Sequence, residues 1–155
     1  MPTSTPRHIV DIDVNRPVAS LSSRDARRVV ETVLRLERVP NALVSVAFVS
    51  NGRIASLNRR HLGSSGATDV ISFPFVAVTK RGPVVGDVYI APDVARSNAR
   101  ERRVPVREEI VRLLVHGTLH VLGYDHPENG DRERSTMWKR QERLVRVSMK
   151  RIAAP

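Results

Sequence analysis

The chain of 155 residues contains no cysteine, so disulfide bonds and thiolate metal sites are excluded. Histidine, aspartate and glutamate are therefore the only strong metal ligands that the sequence offers. No apolar run approaches the roughly 20 residues that a membrane-spanning helix needs, and residues 1–7 are too polar for a signal peptide. Internal repeats and low-complexity segments are also lacking. These absences predict a single domain over residues 1–155, with residues 1–7 disordered, and a location in the cytoplasm.

Negative charge is scarce relative to positive charge. Lysine and arginine together number 26, against 16 aspartates and glutamates, which gives a net charge of +10. All but three of the basic residues are arginine, whose planar guanidinium donates two parallel hydrogen bonds to a phosphate group. The excess favours a polyanionic partner, with nucleic acid as the first candidate. An equally good explanation is a high-GC genome that favours arginine codons, with the charge serving only solubility.

Apolar patterning predicts an α+β fold. Dense or alternating apolar segments predict four strands, over residues 8–14, 42–49, 70–75 and 84–90. Helical periodicity, N-cap residues and prolines predict five helices, over about residues 23–38, 53–61, 92–102, 105–122 and 131–151. Pro74 indicates that the third strand ends there or lies at a sheet edge. This order of elements predicts one mixed sheet of about four strands with helices packed on it.

Three of the five histidines stand close together near the end of a predicted helix. His116 and His120 are four residues apart in an apolar run that predicts a buried central helix, so both imidazoles lie on one face. Gly123 is expected to end that helix in the left-handed conformation, after which the chain can turn and bring His126 to the same point. Three neutral imidazoles at one point predict a metal site, with zinc as the metal and a fourth position open for water. The open position favours a catalytic site over a structural one.

Two neighbours of these histidines bear on the chemistry. Metzincin proteases carry the pattern H-E-x-x-H-x-x-G-x-x-H, and this chain has every histidine and the glycine in register but Gly117 in place of the glutamate. In the proteases that glutamate takes the proton from zinc-bound water, so its loss disfavours peptide hydrolysis. Asp125, beside His126, either hydrogen-bonds a ligand or the bound water, or caps the loop.

Three segments of the chain resemble the YbeY family of metal-dependent endoribonucleases, which act as rRNA maturation factors. Residues 116–126 are similar to the family pattern H-G-x-L-H-L-x-G-Y-D-H. Residues 68–75 are similar to T-D-V-L-S-F-P-F, and residues 86–90 are similar to G-D-I-x-I. The resemblance covers about residues 42–150.

This resemblance implies a zinc-dependent, single-strand-specific endoribonuclease that trims the 3′ end of 16S rRNA and helps ribosome quality control. It implies one zinc ion, bound by His116, His120 and His126 in a cleft against the sheet. The implied partners are rRNA and ribosomal particles, with a ribosomal protein or another nuclease as further candidates. Two other functions stay open: a metallohydrolase of another class, such as a peptidase, and a non-catalytic ribosome-binding factor with a structural zinc.

One position departs from the family pattern. The family has an aromatic residue and then a phosphate-contacting arginine, three and four positions after an asparagine. Counted from Asn58, these positions are His61 and Leu62. Arg59 lies three residues before Leu62 on the same predicted helical face, so we predict that it makes the catalytic phosphate contact. Arg60 is the other candidate, and the alternative to both is that the two arginines only face solvent.

Overall fold

A computed structural model of the chain describes residues 4–75, 82–125 and 135–153. Within these residues the elements follow the order β-α-β-α-β-β-α-α-α, as predicted. The strands are β1 (Arg7–Val14), β2 (Asn41–Phe48), β3 (Val70–Phe75) and β4 (Val84–Ile90). The helices are α1 (Ser23–Leu36), α2 (Asn51–Leu62), α3 (Pro92–Arg102), α4 (Val106–Val121) and α5 (Thr136–Ala153). In the described ranges, no helix combines the length and the apolar character that crossing a bilayer requires.

The strands form one mixed sheet in the order β1-β2-β4-β3. Strands β1, β2 and β4 are parallel, whereas β3 pairs antiparallel with β4 at one edge. Pro74 lies on that edge strand, opposite Gly86. An edge position suits proline because its nitrogen cannot donate a hydrogen bond to a further strand. The predicted α+β class, the four-stranded mixed sheet and the edge position of Pro74 are confirmed.

Several predicted boundaries differ from the structure by one or two residues, as at the end of α1, which lies at Leu36 and not at residue 38. β1 begins at Arg7, whose backbone N–H donates to the carbonyl of Pro40 at 2.9 Å, so this residue belongs to the sheet and not to a disordered terminus. Residues 1–3 lie outside the described residues. The last helix is described from Thr136 onward, and residues 131–134 of its predicted range are also outside the described residues.

Helix α4 runs through the centre of the fold, packed against α1, α3, α5, β3 and β4. Its side chains Leu114 and Leu119 are fully buried in the main apolar core. The helix ends at Val121, and Gly123 follows with a φ of +100°, a conformation that glycine adopts at little cost. The buried central helix and its glycine stop are both as predicted.

Two glycines allow α4 to lie directly on the sheet. A Cβ atom at Gly117 would stand 2.6 Å from Cγ1 of Val88 and 3.1 Å from Oγ of Ser72. A Cβ atom at Gly86 would stand 2.5 Å from Cγ1 of Val121. Such distances are shorter than carbon contacts in a packed interior, so a side chain at either position would push the helix and the sheet apart. The two glycines therefore set how closely the histidine-bearing helix approaches β3 and β4.

Helix α2 packs on the opposite face of the sheet. Its Ile54 and Leu57 form a separate apolar cluster with Ile71 of β3, while the main core fills the face under α1, α4 and α5. Asn58 is buried and donates through Nδ2 to the carbonyl of Gly66 at 3.1 Å. This bond ties the last turn of α2 to the loop that leads into β3.

Candidate metal centre and adjoining clefts

His116 and His120 direct their imidazoles toward each other from consecutive turns of α4. Their Nε2 atoms are 3.1 Å apart, and their ring centroids are 4.6 Å apart. Both side chains are partly exposed, in contrast to the buried residues on either side of them. The spacing of four residues thus brings the two rings together on one face of the helix.

A glutamine from α5 holds the His116 ring. Nδ1 of His116 is 2.7 Å from Oε1 of Gln141, a residue that is only 3% exposed. Because an amide oxygen only accepts hydrogen bonds, this contact assigns the ring proton to Nδ1 and leaves a lone pair on Nε2. That is the tautomer that a metal ligand needs at Nε2. The sequence reasoning missed Gln141, although it falls between the buried Met137 and Leu144 on the inner face of α5.

The Gln141 amide is itself held by charged groups between α4 and α5. Its Nε2 donates to Oε2 of Glu142 at 3.2 Å. Arg112 donates to both oxygens of the same carboxylate, from Nε at 3.0 Å and from Nη2 at 2.9 Å. Burial alone would raise the pKa of Glu142, but hydrogen bonds from Arg112 and Gln141 lower it below its ordinary value. The carboxylate therefore stays ionised at neutral pH and keeps the amide in place.

The turn that follows α4 is tied to the residue that caps the end of α1 and to helix α5. The Tyr124 hydroxyl donates to Oε2 of Glu37 at 2.8 Å, and Arg140 of α5 pairs with the other oxygen of that carboxylate. Burial raises the pKa of Tyr124, and the hydrogen bond to Glu37 raises it further. These contacts fix the chain immediately before Asp125.

The two histidine nitrogens have the separation that a zinc ion requires. Zinc holds imidazole nitrogens at about 2.0–2.1 Å in tetrahedral geometry, which places two of them roughly 3.3 Å apart. The Nε2 atoms of His116 and His120 are 3.1 Å apart, so this pair fits. His126, the third predicted ligand, lies outside the described residues. Among the residues that the structure does describe, no group of three histidine, aspartate or glutamate side chains is arranged to hold a metal.

Two clefts open beside His116, and we name each after one residue in its wall. The histidine cleft has a volume of about 290 Å³, and its walls include Leu62, Ser72, Pro74, His116, His120 and Asp125. The tryptophan cleft has a volume of about 280 Å³, and its walls include Thr68, Asp69, Arg102, Glu109, His116 and Trp138. Because His116 lines both, the paired imidazoles stand at the junction of the two clefts.

The other predicted site residues lie in different places. Asp125 lines the histidine cleft together with both histidines. Leu62 lines the same cleft and is 56% exposed, so the position at which an arginine was expected does face the site. Arg59 and Arg60 are exposed near the end of α2 and are not among the residues that line the two clefts. The phosphate contact of Arg59 stays a prediction.

Known proteins are similar to this chain over most of its length. A family model described as "Endoribonuclease YbeY" matches residues 11–148. The chain belongs to this family. A YbeY endoribonuclease of Persephonella marina is 35% identical over 130 residues, which cover 81% of this chain and 82% of that protein. Another, from Syntrophus aciditrophicus, is 36% identical over 126 residues, which cover 78% of each.

A solved structure has a similar fold. The solution structure of a Thermotoga maritima protein superimposes with a TM-score of 0.64 at 24% identity, covering 94% of this chain and 93% of that one. At this identity the match bears on the fold alone. Membership of the YbeY family supports an endoribonuclease role.

We expect Gln141→Leu to lower the affinity for zinc by roughly 10-fold to 100-fold, the usual cost of losing a hydrogen bond that orients a histidine ligand. Leucine has a similar size but cannot accept the proton of His116 Nδ1, so the ring would lose its orientation. Competition with a chromogenic chelator measures the affinity. Ser148→Ala, another buried polar position on α5, is the control and should bind zinc as the unmodified protein does. Equal affinities for both variants would show that Gln141 does not position His116.

Proposed function

We propose that this YbeY-family protein is a zinc-dependent, single-strand-specific endoribonuclease that matures the 3′ end of 16S rRNA and takes part in ribosome quality control. The observation that carries the proposal is the pair of Nε2 atoms of His116 and His120, 3.1 Å apart at the junction of two clefts. Membership of an endoribonuclease family supports RNA as the substrate. The proposed partners are rRNA and ribosomal particles, with a ribosomal protein or a second nuclease as further candidates.

His116, His120 and His126 would hold one zinc ion and leave a fourth position open. When bound, zinc supplies a Lewis acid for a phosphate oxygen and lowers the pKa of a coordinated water. Gln141 keeps the ring of His116 in the orientation that its Nε2 needs. The Asp125 carboxylate lines the histidine cleft, where it can accept a hydrogen bond from a water or a ribose hydroxyl.

The phosphate of the cleaved bond also needs a cationic partner, because negative charge builds on its oxygens during the reaction. Leu62 lines the histidine cleft but has no charge to offer. We assign the contact to Arg59, one helical turn earlier on α2, whose exposed side chain is free of the core. Arg60 is the alternative donor.

A basic stripe on α5 supports binding of an RNA backbone. Lys139, Arg143, Arg146 and Lys150 recur at intervals of three and four residues and are all exposed, so they lie along one side of the helix. Cations in this arrangement attract phosphates without reading the base sequence. The stripe therefore suits the backbone of an extended RNA. The cytoplasmic location stays a prediction.

A substrate panel separates this function from its alternatives. With zinc present, we expect cleavage of a single-stranded RNA that spans the 3′ end of 16S rRNA, and little cleavage of the same sequence in a duplex. A panel of unstructured peptides should stay intact, because Gly117 offers no carboxylate to take a proton from water. Peptide cleavage would indicate a metallohydrolase of another class. Intact RNA at every zinc concentration would overturn the proposal.

A further inference from the structure

The tryptophan cleft adjoins the metal centre, and the function proposed above assigns no part of the substrate to it. It has a volume of about 280 Å³ and shares His116 and Val70 with the histidine cleft. Trp138, the single tryptophan of the chain, forms part of its wall. A strand that places one phosphate beside His116 and His120 would therefore bring a neighbouring nucleotide to this cleft.

Trp138 is held at the cleft by the first turn of α5. Its backbone N–H donates to Oγ of Ser135 at 3.1 Å, which caps the helix. The preceding residue, Met137, is buried in the main core and anchors this turn. Trp138 itself is partly exposed. The helix turn that carries Trp138 is therefore fixed, and an accessible indole is a surface on which single-stranded bases stack, whatever their identity.

The charges inside the cleft are already paired, which disfavours a phosphate as its occupant. Arg112 is 12% exposed and makes two hydrogen bonds to the Glu142 carboxylate. The buried Glu109 carboxylate accepts a hydrogen bond from Arg112 at 3.2 Å. Asp69 accepts one from the side chain of Asn98 at 3.1 Å. A neutral aromatic ring with polar edges suits this interior better than an anion does.

Arg102 differs from these charges because it lies at the rim. Its side chain is 50% exposed, and its ion pair with Glu109 is long, at 3.9 Å. Because Glu109 also accepts the shorter hydrogen bond from Arg112, at 3.2 Å, its carboxylate stays paired when the Arg102 guanidinium turns toward another anion. A phosphate that flanks a base in the cleft is such an anion.

We infer that the tryptophan cleft is a nucleobase subsite for single-stranded RNA, in which the base next to the cleaved phosphodiester stacks on Trp138 and its flanking phosphate contacts Arg102. The inference rests on the proposed function and gives that same site a second point of contact with its substrate. The subsite would also explain the preference for single-stranded RNA, because a base must leave a duplex before it can enter the cleft.

Fluorescence tests this subsite directly, because all tryptophan emission comes from Trp138. The full-length protein, kept free of metal with a chelator to prevent cleavage, would be titrated with a short single-stranded RNA. We expect saturable quenching of the emission. An abasic ribose-phosphate chain of the same length carries the same charge but no bases, and we expect it to leave the emission nearly unchanged.

Variants measured by the anisotropy of labelled RNA give the size of the effect. Trp138→Leu should weaken binding by between about five-fold and about 100-fold, the range for loss of one stacked base. Trp138→Phe keeps an aromatic face and should recover most of the affinity, which separates stacking from damage to the fold.

The rim contact has its own variant and control. Arg102→Ala should weaken binding by up to about ten-fold and lower the dependence of affinity on salt by about one phosphate contact. Arg100→Ala removes another exposed arginine from the same helix, outside the cleft, and should change the affinity little.

The outcomes separate failure of the subsite from failure of the function. Unchanged emission at saturating RNA, with unchanged affinity of Trp138→Leu, would overturn the subsite while RNA cleavage by the zinc-loaded protein upheld the nuclease. Equal quenching by the abasic chain would also overturn base stacking. Neither binding nor cleavage of single-stranded RNA would overturn both proposals.

Discussion

His120→Ala is expected to slow RNA cleavage by at least about 100-fold without unfolding the protein. Lewis-acid stabilisation of the reacting phosphate contributes several kcal/mol, and about 3 kcal/mol corresponds to roughly a 100-fold change in rate. The fold should persist because the His120 ring faces the cleft, while its neighbour Leu119 fills the core. Alanine also favours the helical conformation.

The matched control for this variant is His8→Ala. Nε2 of His8 lies 2.6 Å from the carbonyl oxygen of Val39, far along the chain from the paired histidines. Its loss should lower the free energy of unfolding by about 1 kcal/mol and leave cleavage unchanged. Thermal melting and initial cleavage rates measure both variants. If His120→Ala unfolded the protein, the zinc would have a structural role and the ribosome-binding alternative would be favoured.

Gly117→Ala is expected to lower the free energy of unfolding by about 2 kcal/mol. The added Cβ would stand 2.6 Å from Cγ1 of Val88, a fully buried side chain, and 3.3 Å from Cγ2 of Val70. Overpacking of this kind costs about 1–3 kcal/mol, and alanine recovers up to about 1 kcal/mol through its higher helix propensity. The steric cost should prevail because a carbon contact of 2.6 Å is far below the van der Waals distance, which places that cost at the upper end of its range.

Gly52→Ala separates the two effects. Gly52 is also helical, but an added Cβ would have only Oγ of Ser50 nearby, at 4.0 Å. This variant should therefore be as stable as the unmodified protein or slightly more stable. Urea unfolding monitored by circular dichroism compares the two substitutions. Equal stabilities would mean that α4 and the sheet separate easily, and the steric explanation for Gly117 would be wrong.

At Gly117 the sequence predicted part of the chemistry, and the structure supplies the packing that the sequence could not. The pattern identified Gly117 as the position where a protease would carry its glutamate, and so disfavoured peptide hydrolysis. The structure adds a reason that no linear pattern contains, because the helix backbone contacts β3 and β4 at that residue. Ser72 Oγ donates to the Gly117 carbonyl at 3.1 Å across this contact. A glutamate would need α4 to move away from the sheet that carries Val88.

The elements that sequence reasoning placed well have strong local signals. Helix α4 is apolar on nearly every side, and Gly123 marks its end, so both could be predicted from short segments. The edge position of Pro74 follows from its missing N–H. Each of these signals lies within a few residues of the feature that it predicts, and none requires knowledge of packing between elements.

Gln141 and the tryptophan cleft could not be predicted in the same way. Gln141 meets His116 across 25 residues of chain, and the contact exists only because α5 packs on α4. The sequence does show a polar residue, Gln141, within the apolar stripe of α5, but this pattern does not indicate which residue Gln141 contacts. The cleft is similarly assembled from α3, α4, α5 and the segment around the start of β3, so no single sequence pattern contains all of its residues.

In the proposed function, one zinc ion held by His116, His120 and His126 makes RNA cleavage possible. The most direct test is the rate at which metal-free protein cleaves single-stranded RNA as zinc is added back. We predict no cleavage above background at the start, a linear rise, and a plateau at one zinc ion per chain. Full-rate cleavage by protein that elemental analysis shows to be free of metal would contradict the proposed zinc dependence.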